Sequence, residues 1–260
     1  MFYTSNSGPV YYDVQGAENS KTIVLTHGIG LNSNMFQAQV DALKNDFKVI
    51  TWDMPGHGRS HALDGVLKVD QMSGIIMGIL DELGIEKAVV GGQSLGSWVA
   101  QHTAILYPNR IIGVVNISGT PIEKQLSKVL IHGFKVWLKM SHLFPAKKMF
   151  KWTADSKAIT QNAKTFAYQS MCQIGKKQFL WMVEGMLNAE AIVVPHGVKQ
   201  PMLIAHGDHE MPKFVEKECK EWFASIDNAT YYLIPDAGHN GNQDNPIAFN
   251  QALIAFLKSI

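Results

Sequence analysis

Short, β-branched apolar runs alternate with longer amphipathic stretches through most of this sequence. The runs predict strands at 10–14, 22–26, 49–52, 88–91, 111–117, 202–205 and 230–234. Helical patterns lie between them at 72–83, 97–107, 214–224 and 247–257. This spacing requires crossover connections, which favours an α/β fold with a mostly parallel, twisted sheet covered by helices on both faces. A sheet of this kind places its ligand site at the carboxyl ends of its strands.

The alternation stops in a long central segment, where helical periodicity continues without a clear strand. Helices are predicted there at 126–142, 146–152, 159–172 and 177–188. We therefore expect 1–121 and 201–260 to form one α/β core, with 122–200 inserted as a helical cap over its active edge. The cap is rich in aromatic residues and methionine. Most of these should pack the cap onto the sheet, and some should line an apolar pocket that suits an acyl or aryl group.

Charge and hydropathy restrict the partners of the chain. The formal net charge of 260 residues is +1, which gives no sign of a nucleic-acid-binding protein. The predicted cap contains 12 lysines and 4 acidic residues, and its lysines are expected to form a solvated face. Neither a leader pattern nor an uninterrupted apolar run of membrane-spanning length is present in the sequence. We expect a cytoplasmic protein without stable membrane insertion, and the sequence does not indicate its oligomeric state.

The pentapeptide Gly-Gln-Ser-Leu-Gly at 92–96 lies where a predicted strand ends and a helical pattern begins. In a turn this tight, only glycine at positions 92 and 96 keeps Cβ atoms out of the bend. The turn exposes the hydroxyl of Ser94 at the top of the sheet, and the helix N-terminus beside it favours developing negative charge. The pattern predicts a nucleophilic serine at position 94.

A serine hydroxyl is a poor nucleophile at neutral pH, so it needs a base, and the base needs an orienting acid. His239 follows the last predicted strand and precedes the last helix, which makes it the predicted base. Two acidic residues, Asp208 and Glu210, follow the preceding strand. Either can serve as the acid, and composition alone does not choose between them.

Together these motifs resemble the α/β-hydrolase superfamily over nearly the whole chain, with serine, acid and histidine in that superfamily's order. The resemblance implies that Glu210, which lies three residues after a glycine, is the acid. The spacing between Asp208 and Pro212 suits Asp208 instead, and Asp208 stays the alternative. It also implies an oxyanion hole formed by the backbone N–H groups of Ile29 and Leu95. The matching segments are 27–30, 53–60, 92–96, 207–210 and 237–239.

A metal site is the main competing use of the histidines, since His206, His209 and His239 could converge with Asp208. No close ligand spacing of a known metal motif occurs, and a serine triad needs no metal. Neither a phosphate-binding loop nor a dinucleotide fingerprint is present in the sequence. We therefore expect neither a metal ion nor a cofactor.

The resulting prediction is a serine hydrolase that cleaves an ester, thioester or lactone of a small molecule with an apolar acyl or aryl part. Ser94 would attack the carbonyl carbon, His239 would transfer the proton, and Glu210 would orient the imidazole. Residues 118–121 resemble those of some α/β-hydrolase lactonases. The alternatives are a lyase or acyltransferase using the same triad, a peptidase resembling proline iminopeptidases, and a receptor that binds a small molecule without turnover.

Overall fold

One eight-stranded sheet forms the centre of the computed structural model, which describes residues 1–6, 8–19, 21–124, 127–189, 194 and 196–260. Its strand order is β1-β2-β4-β3-β5-β6-β7-β8. The strands are β1 (Phe2–Ser5), β2 (Gly8–Gln15), β3 (Thr22–Thr26), β4 (Lys48–Trp52), β5 (Ala88–Gln93), β6 (Ile111–Ile117), β7 (Met202–Gly207) and β8 (Ala229–Ile234).

The sheet is mostly parallel, as the sequence predicts. Strands β1, β2 and β4 pair antiparallel, and every other neighbouring pair, from β4 through β3 to β8, is parallel. Strand β1 was not predicted; it is a four-residue edge strand whose side chains are exposed or half-buried. A strand that buries so little apolar surface lacks the hydrophobic run by which the others were found.

Helices cover both faces of the sheet, which confirms the predicted fold class. Neighbouring residues of β3 face opposite ways, so Val24 packs beneath α2 and α3, while Ile23 and Leu25 pack beneath α1 and α10. The inner strands β3 to β7 are almost completely buried, because helices cover both of their faces. The core helices are α1 (Gln37–Leu43), α2 (Met72–Glu82), α3 (Leu95–Leu106), α8 (Lys213–Ser225), α9 (Gly241–Asp244) and α10 (Pro246–Ser259).

Among the described residues between β6 and β7, within the segment that we propose as the cap, four helices are present. The predicted helix start at 126, and cap residues 125, 190–193 and 195, fall outside the described residues. Phe150 and Phe179 stack edge to face with ring centroids 5.4 Å apart and join the core cluster of Ile23 and Leu25. No helix in the described ranges is long and apolar enough to cross a membrane. The cap helices are α4 (Lys128–Ser141), α5 (Ala146–Lys157), α6 (Gln161–Ile174) and α7 (Lys176–Ala189).

Candidate active site

Ser94 lies in the sharp turn between β5 and α3, where its backbone has φ 54° and ψ −116°. Residues with a side chain rarely adopt this left-handed region, so the surrounding structure must hold it there. The N–H of Ser94 donates to the Ile117 carbonyl oxygen at 2.9 Å. A Cβ on Gly92 would lie 2.1 Å from the carbonyl oxygen of Gly96, and one on Gly96 would lie 2.1 Å from that of Thr26. Both glycines are therefore required by close backbone contacts.

His239 and Glu210 form a buried hydrogen-bonded pair at the carboxyl ends of β8 and β7. Nδ1 of His239 lies 2.6 Å from Oε1 of Glu210, whose side chain is completely buried. The second carboxylate oxygen, Oε2, accepts a hydrogen bond from the Ser118 hydroxyl at 2.6 Å. Because Nδ1–H donates to the carboxylate, the neutral imidazole keeps its lone pair on Nε2. This is the tautomer that a general base needs.

Asp208 lies in the same loop but makes different contacts. Its carboxylate accepts hydrogen bonds from the backbone N–H groups of Asp236 at 3.1 Å and Ala237 at 3.0 Å. These bonds hold the chain that leads into His239. Of the two acids that the sequence left open, the structure brings Glu210 to the imidazole and places Asp208 against the backbone.

The environment of His239 opposes its protonation. Burial is the main cause that lowers the pKa of His239 below 6.5, and the positive charge of Lys157 acts in the same direction. The Glu210 carboxylate opposes this effect through its charge and hydrogen bond. The imidazole of the free protein is therefore neutral at pH 7, in the form that accepts a proton.

Two further residues position this site, and sequence reasoning missed their roles. Ser118, with φ 51°, follows β6 and supplies the hydrogen bond to Glu210. Gln93 donates from Nε2 to the His239 carbonyl oxygen at 3.0 Å and so connects the serine turn to the histidine loop. Both contacts join residues far apart in the chain. Only the sheet order brings these strand ends together, so no local pattern could have found them.

Ile29 and Leu95 line the same cavity as Ser94. Leu95 is the first residue of α3, where backbone N–H groups have no partner within the helix. Ile29 follows Gly28, where a Cβ would lie 2.1 Å from Oε1 of Gln93. The loop is held by His27, whose Nε2 accepts the Met54 N–H at 3.0 Å and whose Nδ1 then donates to the Gly28 carbonyl at 2.8 Å. Both ring nitrogens of this buried histidine are thus used in the loop.

A cavity of about 580 Å³ opens above Ser94 and His239. Its walls combine residues of the sheet edge, including Ile29, Leu95 and Ser118, with residues of all four cap helices. Most of the lining is apolar, as is usual for a pocket that binds a small organic molecule. The aromatic side chains in the wall are Trp98, Phe134, Trp137, Trp152, Phe179 and Phe214.

Of the histidines considered for a metal site, His209 lies beside Asp208, whereas His206 and His239 contact other partners. Nε2 of His206 lies 2.7 Å from the Tyr231 hydroxyl. In the described part of the chain, the group with ligand atoms close enough to hold an ion is Asp208, His209 and Asp236, whose ligand atoms lie within 4.8 Å of one another near the surface. Asp208 already accepts two backbone hydrogen bonds there.

Known proteins resemble this chain in sequence and in fold. A family model described as "alpha/beta hydrolase fold" matches residues 21–137. The 3-oxoadipate enol-lactonase 1 of Acinetobacter baylyi is 25% identical over 254 residues, which cover 95% of this chain and 92% of that protein. The dihydrolipoyllysine-residue acetyltransferase component of the acetoin cleaving system of Pseudomonas putida is 26% identical over 256 residues. That match covers 94% of this chain but 65% of the longer relative.

Solved structures share the same architecture. A thermophilic esterase from Thermogutta terrifontis superposes with a TM-score of 0.85 at 21% sequence identity, over 100% of this chain and 98% of that one. At this identity the likeness concerns the fold, and it agrees with the strand order and the turn at Ser94. The family model over residues 21–137, the relatives and the solved structures together show that this chain has the α/β-hydrolase fold.

Proposed function

We propose that the protein hydrolyses a carboxylic ester, thioester or lactone through an acyl-enzyme on Ser94. The observation that carries this proposal is the buried Glu210–His239 pair, with its 2.6 Å contact, at the cavity that Ser94 also lines. The proposed nucleophile, acid and base follow β5, β7 and β8 at the same edge of one sheet, in which β6 lies between β5 and β7. This agrees with the activity named for the enol-lactonase relative.

In the first half-reaction, Nε2 of His239 accepts the Ser94 proton while Oγ attacks the carbonyl carbon. Glu210 stabilises the imidazolium that forms. The N–H groups of Ile29 and Leu95 would donate to the developing oxyanion, a contribution of roughly 3–4 kcal/mol per donor in related chemistry. The tetrahedral intermediate then expels the alcohol, thiol or lactone oxygen, which takes the proton from Nε2.

In the second half-reaction, His239 accepts a proton from water and the resulting hydroxide attacks the acyl carbon. The carboxylic acid leaves, and the proton on Nε2 returns to Ser94 Oγ. Cleavage of a lactone gives a single product, because the released alcohol belongs to the same molecule.

The cavity wall supports an ester or lactone over a peptide with a free amino group. Among its described lining residues, neither an aspartate nor a glutamate is present to bind a substrate ammonium. The aromatic and methionine side chains instead suit an apolar acyl or aryl part. The proposed site residues are Ser94, His239 and Glu210, with Ile29 and Leu95 as oxyanion donors.

The test is hydrolysis of p-nitrophenyl esters from acetate to decanoate by the wild type and Ser94→Ala. The proposal predicts that Ser94→Ala loses kcat/KM by a factor on the order of 10³ or more on every ester that the wild type cleaves. Ser225→Ala, at an exposed serine ending α8, is the matched control and should behave as wild type. Equal rates for the wild type and Ser94→Ala would refute the acyl-enzyme. An alcohol acceptor added to the assay separates hydrolysis from acyl transfer.

A further inference from the structure

Lys157 is the one lysine or arginine among the described residues that line the active-site cavity. It is the last residue of α5 and is half-buried between the cap and the histidine loop. Its backbone carbonyl accepts the N–H of Asn240, the residue after His239, at 2.9 Å. The position of this lysine is therefore tied to the catalytic loop rather than to the outer surface of the cap.

The ammonium group of Lys157 has few partners. An ammonium carries three N–H donors, and here one of them reaches the Met211 carbonyl oxygen at 3.4 Å, which is long for a hydrogen bond. No carboxylate in the described ranges lies within ion-pair distance of it. Glu210 acts on it only from farther away, and both of its oxygens are already used by His239 and Ser118.

Other cap lysines are satisfied in ordinary ways. Lys151 pairs with Asp155 one helical turn away, Lys176 donates to the carbonyl oxygens of His142 and Phe144, and Lys177 lies over the Trp181 ring. Lys151 and Lys177 are exposed, and Lys176 is half-buried like Lys157. Lys157 differs because its ammonium reaches a single distant acceptor and because it lies on the wall of the active-site cavity.

A cation beside an apolar cavity loses hydration that a ligand can replace. Burial lowers the pKa of Lys157, the direction expected when a positive charge is partly removed from water. An anion in the cavity would supply the missing acceptors at low dielectric, where charged hydrogen bonds are strong. One lysine matches a carboxylate better than a phosphate dianion, which usually engages several cations or a row of backbone N–H groups.

We propose that Lys157 binds a carboxylate of the substrate, so that the substrate is an ester or lactone that also carries a free acid group. The substrate class rests on the hydrolase function proposed above, whereas the anion site itself does not. The apolar wall would hold the carbon chain, and Lys157 would fix its charged end beside the His239 loop.

Binding of an unreactive pair, hexanoate and hexanamide, tests the anion site without any turnover. Calorimetry should show that the wild type prefers hexanoate by about tenfold or more, the range expected for a hydrogen bond between charged partners. Lys157→Met, which keeps the aliphatic stem, should lose that preference, and Lys157→Arg should keep most of it. Lys148→Met, at an exposed lysine of the same helix, is the matched control and should keep it fully. Thermal melts establish that each variant is folded.

If the wild type and Lys157→Met showed the same preference for hexanoate over hexanamide, the anion site would be overturned. Binding of hexanoate through the oxyanion donors alone would give this result.

Kinetics then separates the two proposals. The ratio of kcat/KM for mono-p-nitrophenyl glutarate over p-nitrophenyl butyrate should fall about tenfold in Lys157→Met. Ester hydrolysis with an unchanged ratio leaves the hydrolase and removes the anion site. Carboxylate binding that depends on Lys157, with no ester cleaved by the wild type, leaves the anion site and removes the hydrolase.

Discussion

The core and the cap hold their parts of the cavity by different means. In the core, backbone contacts that only glycine permits fix Ser94, and buried hydrogen bonds fix Glu210 and His239. In the cap, the cavity wall consists of large side chains on amphipathic helices, and some of them remain open to solvent. Trp152 lines the cavity yet is 63% exposed, and Val129 is 82% exposed. We infer that the core sets the chemistry and that the cap selects the substrate.

Glycine substitutions should separate the two regions most sharply. Gly96→Ala places a Cβ 2.1 Å from the Thr26 carbonyl oxygen, so we expect a loss of more than about 3 kcal/mol of stability, or no soluble protein. Gly133, in cap helix α4, has open space within 4 Å of the point where a methyl group would lie, and Gly133→Ala should gain about 0.5–1 kcal/mol. Urea unfolding measures both. If both substitutions changed the stability by similarly small amounts, the serine turn would be shown to relax easily.

The two acids of the β7 loop provide the next largest contrast. Glu210→Gln removes the charge that stabilises the imidazolium, and kcat should fall by a factor on the order of 10⁴. Asp208→Asn keeps one acceptor for the backbone and does not touch His239, so its kcat should stay within about tenfold of wild type. Steady-state kinetics on one activated ester measures the kcat of both variants and distinguishes the two acids. The reverse order of effects would make Asp208 the acid.

Asp244 connects the two regions and should have an intermediate effect. Its carboxylate accepts hydrogen bonds from the backbone N–H groups of Ile159 and Thr160 in the cap and of Gly238 beside His239. Asp244→Asn loses part of this set, so we expect about 1–3 kcal/mol of destabilisation. Asp155→Asn, which breaks only an exposed pair with Lys151, should cost less than about 0.5 kcal/mol. Equal losses in thermal melts would mean that Asp244 does not couple the cap to the core.

The pH profile should show the smallest effect and reports on both regions together. Protonation of His239 removes the base, so kcat/KM should fall as the pH drops through its pKa, which burial places below 6.5. Lys157 lowers this pKa further, so Lys157→Met should move the acid limb toward higher pH. Initial rates on an ester without a titrating group give the profile. An acid limb above 6.5 in the wild type would contradict the buried, neutral base.

The sequence predicted the core far better than the cavity. Seven of the eight strands were predicted from short apolar runs, and the glycines at 92 and 96 marked the serine turn, because these constraints act over a few neighbouring residues. The contacts of Ser118 and Gln93 depend on which strand ends adjoin, and the choice between Glu210 and Asp208 depends on the path of one loop. Helical periodicity located the cap helices. It could not show that the end of α5 places Lys157 beside the histidine loop.

Covalent capture of the nucleophile tests the central claim most directly. The intact wild type and the Ser94→Ala variant would each be treated with a fluorophosphonate. The mass of each protein and the identity of any modified peptide would then be determined. We predict one adduct, located on Ser94 and formed more slowly at acidic pH as His239 is protonated. The Ser94→Ala protein should acquire no adduct under the same conditions. An unlabelled wild type, or an adduct that persists in Ser94→Ala, would contradict the proposed acyl-enzyme mechanism.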